Sequence, residues 1–487
     1  MGPGHRALRF LQRTMGGVYL PGCVHVSTYD DPALVAEVVV GGARSTIGLP
    51  CSLDRAGVSP GKSKAMIRDH SPGKNWAGNY TYQAQTVHRP SKIEQVQEII
   101  ANAPSVHVLG SRHSFNDIAD SLELITLEDM PMDVVVDHAA NTISFNAALR
   151  YGELVDTLSV EGVALHNLAS LPHISVAGAV ATATHGSGDR NGNLATAVAG
   201  LELVTSTGEI IEASRGESDF DGLVVGLGAL GALTRITLDV EPAYEVRQRV
   251  FEGLSWEALF EHFDEIISCG YSVSIFTRWG ETIDQVWIKS RVRNEPEQVE
   301  SELFGAVAAA VDRHPILGLD ASSCTPQLGK PGPWYERLPH FRMGFTPSSG
   351  EELQSEYLFP RRYAVEAIEA VRTLADRIQP ILQVSEIRTV AADRLWMSMN
   401  YGEETVGIHF TWKPEREAVE DMLVQIERAL VPFGARPHWG KLFNADAAAI
   451  APLYERMPDF ISLLERLDPR AAFCNSWLKA HVLGESG

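Results

Sequence analysis

Apolar positions recur at helical spacing in several stretches of the chain and alternate with polar ones in much of what lies between. Ile93, Val96 and Ile100 share one face of a helix, and Ser91 with Glu94 supplies the S-x-x-E capping box that would open it. "YGELVDTLSVEG" (151–162) predicts a second helix ending at Gly162, and further helices are expected at 255–268, 363–378 and 415–430. "SVHVLG" (105–110), "ELITLEDM" (123–130) and "NTISFNAALR" (141–150) read as strands, and residues 195–243 as strands and turns. This order of elements argues for an α+β fold rather than a doubly wound sheet.

Orderly patterning begins only after Met66, which makes that residue a candidate start. The first 75 residues hold nine Lys and Arg against five Asp and Glu and are rich in Gly, Ser and Pro. An Arg-rich, acid-poor opening fits a transit segment, and it lacks the apolar run of a secretory signal. Residues 1–74 are expected to form a poorly ordered extension.

At 487 residues the chain has room for two or three domains. A net charge of −21 disfavours nucleic acid and polybasic membrane binding. No apolar run approaches the roughly 18 residues of a membrane span. Cys23, Cys51, Cys269, Cys324 and Cys474 are scattered without a CxxC pair, so no metal site or disulfide framework is expected, and reduced cytoplasm is the expected compartment.

Two Gly-rich motifs mislead. "GLGALG" (226–231) fits the dinucleotide fingerprint, but the Thr, Ile and Val that follow read as a strand where that site needs a helix N-terminus. "GVSPGKS" (57–63) has three residues between its glycines where a phosphate loop needs four, and reads as a surface turn. "NLASLPHISVAGAVATATHGSGDRNGNLA" (167–195) carries more weight. Its small side chains would let backbone amides approach a polyanion, or would pack a tight corner.

The turn "VLGSRHSFNDIA" (108–119) places a histidine directly after a short strand. Taken alone it reads as a strand-to-loop corner or as a histidine presented to a cofactor. "GSRHSFND" followed by "SLPHISVAGAVATATHGSG" resembles the flavin domain of the vanillyl-alcohol-oxidase superfamily, and "GLGALGALTRITL" is similar to that domain's closing stretch. "ELQSEYLFP" (352–360), "EIRTVAAD" (386–393), "HFTW" (409–412) and "RPHWGKLF" (436–443) resemble the alditol, or xylitol, oxidases.

The resemblance implies a two-subdomain PCMH-type FAD-binding domain over 75–245, completed by 436–487, with an inserted α+β substrate-binding domain over 246–435. It implies FAD bound covalently through His113. Gly110, Ser111, Arg112 and Ser114 would offer donors to the pyrophosphate, and Ser170, Ser175, Gly178, Thr182, His185 and His438 would also meet the cofactor. Glu386, Arg388 and Lys441 are the implied catalytic set. Ser170, Gln354, Glu386, Arg388, Thr411 and Lys441 would bind substrate, and His409 would line the site. Glu386 and Arg388, at i and i+2, share one face of a strand, which as residue types alone equally fits a surface ion pair. The implied reaction takes a hydride from the terminal carbinol of an alditol and passes the electrons to dioxygen, giving hydrogen peroxide. The alternative on the same scaffold is an aldonolactone oxidase or dehydrogenase. A monomer is expected.

Overall fold

The computed structural model describes residues 35–40, 43–48, 72–293, 301–344 and 352–484. The chain divides into two units, Met1–Arg68 and Asp69–Gly487. In the first, Val35–Val40 and Ala43–Gly48 pair as antiparallel strands. The other expectations for residues 1–71, including the Met66 start and the Gly57–Ser63 turn, fall outside the described residues.

The second unit opens with three short parallel strands, Thr86–His88, Glu123–Ile125 and Val106–Val108, with Glu123–Ile125 in the middle. Val106 N donates to Ala472 O at 2.7 Å, so the end of the chain packs back against this sheet. A five-stranded antiparallel sheet follows, in the order Ile210–Ser214, Val198–Val204, Ala232–Asp239, Thr142–Asn146, Val134–Asp137. A strand, Ala232–Asp239, does follow Gly231. Gly228 and Gly231 sit at φ +74° and +143°, where a side chain would be strained, so their glycines serve a turn into a strand.

The largest sheet is antiparallel and runs Glu245–Ser255, Thr282–Arg291, Ser272–Thr277, Leu382–Val390, Thr405–Trp412, Leu353–Pro360. Period-two alternation splits its side chains cleanly. Ile387, Val406, Ile408, Phe410, Tyr357 and Phe359 join one apolar core with Leu259, Ile368, Val371, Val419 and Leu423 of the helices that cover this face. The opposite face carries the polar residues.

Several sequence expectations shift. The first helix begins at Ile93 with Lys92 at its N-cap, so the Ser91/Glu94 box does not form; Ser91 N instead donates to Gln95 Oε1 at 2.8 Å. The expected 255–268 helix breaks at His262, which leaves helical geometry at φ −121° and divides it into Trp256–Glu261 and Phe263–Ser268. A short helix, Phe220–Leu223, interrupts the strand-and-turn region. The 151–162 helix runs Tyr151–Val160 and stops before Gly162 at φ +68°.

The small-residue block reaches the large sheet at Gly188, whose amide donates to Thr389 O at 2.9 Å. Gly188 has φ +129°, and a Cβ there would lie 2.3 Å from the Tyr271 carbonyl oxygen. Gly188→Ala is therefore expected to lower the thermal midpoint by at least about 5 °C. An unchanged midpoint would mean that this junction is free to shift.

Candidate active site

A cavity of about 580 Å³ lies between the small-residue block and the polar face of the large sheet. One wall is the turn after Val106–Val108. Ser111 Oγ accepts from Ser175 N at 2.8 Å, and Ser111 N donates to Ser175 Oγ at 3.3 Å, which clamps the turn to the start of the helix Val176–Ala181. A Cβ at Gly110 or Gly178 would sit 2.6 or 2.8 Å from Ser175 Oγ. This wall is therefore bare backbone, the kind of surface a phosphate can approach. A lobe of about 120 Å³ shares Val108–Ser111 and Gly178 with the main cavity and continues past Gly226, Gly228 and Gly231.

Arg112 takes up φ 63°, and its guanidinium turns to Pro72 O at 2.6 Å and over the Tyr82 ring. Next to it, His113 stacks on Trp76 with ring centroids 5.3 Å apart and holds Nδ1 3.0 Å from Ser111 Oγ. Burial pushes the His113 pKa down to about 4, so the ring is neutral at neutral pH and keeps a lone pair. Phe115 N donates to Gly440 O at 2.8 Å, and the Asn116 amide bridges Trp439 O and Lys441 O, which brings the 436–441 segment to the same cavity.

The sheet supplies the opposite wall. Strand register aligns Phe276, Glu386, His409 and Glu356 as one row across four strands. Arg388 lies in the next row, opposite Ser274 and Gly407. Glu356 is 1 % exposed and pairs with Arg388 Nη2 at 3.0 Å and Lys441 Nζ at 2.6 Å, with His185 Nε2 3.1 Å and His409 Nδ1 3.6 Å away. Burial alone would raise this carboxyl. Lys441 and Arg388 overcome that and hold it well below the ordinary carboxylate range. Burial likewise works against ionised Glu386, and Arg388 with His340 reverses the effect and lowers its pKa.

Hydrogen bonds fix the protons. Lys441 Nζ donates to His409 Nδ1 at 2.7 Å, so His409 carries its proton on Nε2 and donates to Thr411 Oγ1 at 3.1 Å. The Thr411 hydroxyl hydrogen is then free to point into the cavity. Gly440 N donates to His438 Nδ1 at 3.1 Å, which leaves the His438 Nε2–H as its donor. Gln354 donates its amide to Glu352 at 2.6 Å. Arg388 Nε is buried without a hydrogen-bond partner among the described residues, although Glu386 Oε1 lies 3.6 Å away. A buried donor left open beside a cavity is positioned for a ligand oxygen.

All the sequence-predicted site residues line this one cavity, from Gly110 through His113 and Ser170 to Glu386, Arg388, Thr411 and Lys441. Sequence reasoning missed Glu356, Glu352 and His340. The signal for the first two was present: Glu352, Gln354 and Glu356 stand at i, i+2 and i+4 and so share one polar face of a strand.

The FAD binding domain family profile matches residues 84–214, and the D-arabinono-1,4-lactone oxidase profile matches residues 350–481. An alditol oxidase of Streptomyces sp. is 47 % identical over 410 residues, covering 83 % of this chain and 97 % of that protein. The L-gulono-1,4-lactone dehydrogenase of Mycobacterium tuberculosis is 26 % identical over 84 % of this chain and 98 % of its own length. Among solved structures, a cholesterol oxidase from B. sterolicum superimposes with a TM-score of 0.68 at 13 % identity, covering 83 % of this chain and 95 % of that one. That likeness shows the fold, and with the family match it makes the α+β architecture a PCMH-type FAD-binding one. The Gly-lined wall, the clamped turn and the elongated cavity fit FAD. Among the described residues, no helix is long and apolar enough to cross a membrane.

The buried histidines make a pH prediction. Burial, with Lys441 beside it, lowers the His409 pKa to about 4, against about 6.5 when unfolded. Between those values the unfolded chain binds a proton that the folded chain does not, so this residue's contribution to stability falls as pH drops through the window. His409→Gln removes the dependence. The wild type's stability relative to the variant is expected to fall by up to about 1.4 kcal/mol per pH unit across the window, measured by denaturation near pH 7 and near pH 5. A constant difference would contradict a neutral buried His409.

Proposed function

The chain belongs to the alditol oxidase family of FAD-dependent flavoproteins, and on that premise we propose that it oxidises the terminal hydroxyl of alditols such as xylitol and sorbitol to the aldose. Dioxygen takes the two electrons and leaves as hydrogen peroxide, so one alcohol and one dioxygen give one aldehyde and one peroxide. FAD, when bound, supplies the acceptor for the substrate's hydride. The observation that carries this reading is the polar face opposite His113, where Glu386 and Glu356 are balanced by Arg388 and Lys441.

A neutral polyol brings several hydroxyls and no charge. It is matched by a wall of paired ions that stays neutral overall and still offers both donors and acceptors. The Glu386 carboxylate accepts from substrate hydroxyls, while the Arg388 Nε–H and the Thr411 hydroxyl donate to them, with Ser170 and Gln354 alongside. Arg388 and Lys441 favour loss of the reacting hydroxyl's proton through their positive charge. Gly110, Ser111, Arg112, Ser114, Ser175, Gly178, Thr182, His185 and His438 hold the cofactor. The neutral His113 ring is the attachment nucleophile, since its nitrogen lone pair is available at neutral pH. The cofactor-binding part is 75–245 with 436–487, and the substrate part is 246–435. The large sheet draws its other strands from 245–412, in keeping with that division, and takes one short strand, Arg436–Pro437, from the cofactor-binding part. The protein acts as a cytoplasmic monomer.

A lactone reading on the same scaffold is favoured by the D-arabinono-1,4-lactone oxidase match over 350–481. Substrate profiling separates the two. Xylitol and sorbitol should reduce the flavin well, and aldonolactones poorly.

Two outcomes test the proposal. Acid-precipitated wild type should stay yellow, while His113→Ala should release its colour to the supernatant; colour lost from the wild type would refute covalent attachment. Glu386→Gln should keep the flavin yet slow anaerobic flavin reduction by xylitol at least roughly 100-fold, the scale of a positioned charged group. Near-normal reduction would remove Glu386 from the reaction.

A further inference from the structure

Lys289 sits in the strand Thr282–Arg291, 1 % exposed, behind the polar row of the candidate site. It does not line the cavity, whereas His340 and Glu386 do. Its Nζ donates to Leu338 O and lies 3.1 Å from His340 Nδ1. A lysine has no proton-accepting role while it is charged, so His340 Nδ1 is the acceptor and the imidazole proton resides on Nε2. From there it meets Glu386 Oε1 at 2.8 Å. The His340 ring is held edge-on by Phe276 and Trp287, with centroids 5.3 and 5.4 Å away and interplanar angles of 72° and 84°. Its plane is therefore set by packing, and the choice left to it is the tautomer.

Resting on the polyol-site reading above, we propose that Lys289 is a positioning residue for that site: it fixes the His340 tautomer whose Nε2–H holds the Glu386 carboxylate toward the substrate. The opposite tautomer would turn a lone pair on the carboxylate and leave a buried acid unsupported on that side. Such a choice exists only for a neutral imidazole, and burial, followed by the charge of Lys289, pushes the His340 pKa down to about 4. Burial also brings Lys289 down to about 7, with Glu386 drawing it up and Arg388 pushing it down; Cys324 is the remaining titratable neighbour. The ammonium form enforces this tautomer; the neutral amine keeps two hydrogens, enough for both Leu338 O and His340 Nδ1, but its lone pair also admits the opposite arrangement, so the tautomer is enforced below that pKa. Removing a buried amine in favour of an apolar chain of equal length would relieve a desolvation cost. Its placement is accounted for by the hydrogen that it directs at the histidine. The same logic operates wherever an outer partner sets the tautomer of a working histidine.

The decisive measurement combines variants with a readout that needs no substrate. Lys289→Met should lower the limiting rate of anaerobic flavin reduction by xylitol at least about ten-fold while leaving flavin content unchanged. His340→Gln keeps an N–H donor for Glu386 and has no tautomer to choose. It should stay within about three-fold of wild type, and adding Lys289→Met to it should cost no more than about two-fold. An equal penalty for Lys289→Met in both backgrounds would overturn the proposal. If Lys289→Met does not fold, His340→Leu serves in its place: it removes the donor and should fall at least about ten-fold, and equal rates for the Gln and Leu variants would overturn the proposal. Independently, nitrogen NMR of isotope-labelled histidine in the wild type, assigned by the signals lost in His340→Gln, should show a protonated Nε2 and a bare Nδ1. A protonated Nδ1 would refute the proposal outright. Failure of the polyol reading itself looks different: wild-type flavin would remain oxidised under xylitol and sorbitol whatever the histidine signals show.

Discussion

A buried carboxylate must be paired or it will not stay ionised, and Glu356 is where this protein meets that requirement. The groups around it include ones from three distant parts of the chain: His185 from the small-residue block, Arg388 from the Leu382–Val390 strand and Lys441 from the segment after Arg436. One side chain thus draws the cofactor-side wall, the substrate-side wall and the C-terminal segment onto a single point. Loss of Arg388 or Lys441 would strip this buried carboxylate of one of its two cations. The geometry of the site is in this sense a by-product of charge balance.

The sheet makes such a cluster possible. Helices press on one face and satisfy it with Ile408, Phe410, Tyr357 and their neighbours, so the other face is released from the need to be apolar. Alternation then places Gln354, Glu356, Glu386, Arg388, His409 and Thr411 together on that face without any conflict with folding. Glu386 and Glu356 each flank His409 in register. Arg388 reaches both, which makes the arginine the shared counter-ion of two acids.

Legibility in the sequence followed the range of the interaction. Local features were readable: the His113 turn, the i and i+2 spacing of Glu386 and Arg388, and the strand after Gly231 that disqualified "GLGALG". Boundaries set by a single residue were less so. The Ser91/Glu94 box gave way to Gln95 because the helix starts at Ile93, and His262 broke a helix whose apolar spacing looked continuous. His340 and Lys289, and the partners of Glu356, were invisible for a different reason. Each is an ordinary polar residue until folding brings its partner, 32 residues away for Glu356 and Arg388 and 51 for Lys289 and His340. Periodicity shows which face a residue occupies, and says nothing of which strand lies beside it.

The same pairing explains a residue that carries no side chain at all. Arg388 lies opposite Gly407, and its partner Glu356 is on the far side of that glycine's strand. A Cβ at Gly407 would come within 3.4 Å of both Glu356 Oε1 and Leu358 Cγ, and within 3.8 Å of the His185 ring. Gly407 has an ordinary φ, so backbone strain does not account for it. With no side chain, Gly407 leaves open the space beside which the guanidinium crosses one strand to reach a carboxylate on the next. A side chain longer than alanine's would crowd the Arg388–Glu356 pair, leaving Arg388 to Glu386 and Glu356 to Lys441. A methyl at Gly407 would meet its neighbours at ordinary contact distance, so the charge cluster has room for one carbon there and little beyond it.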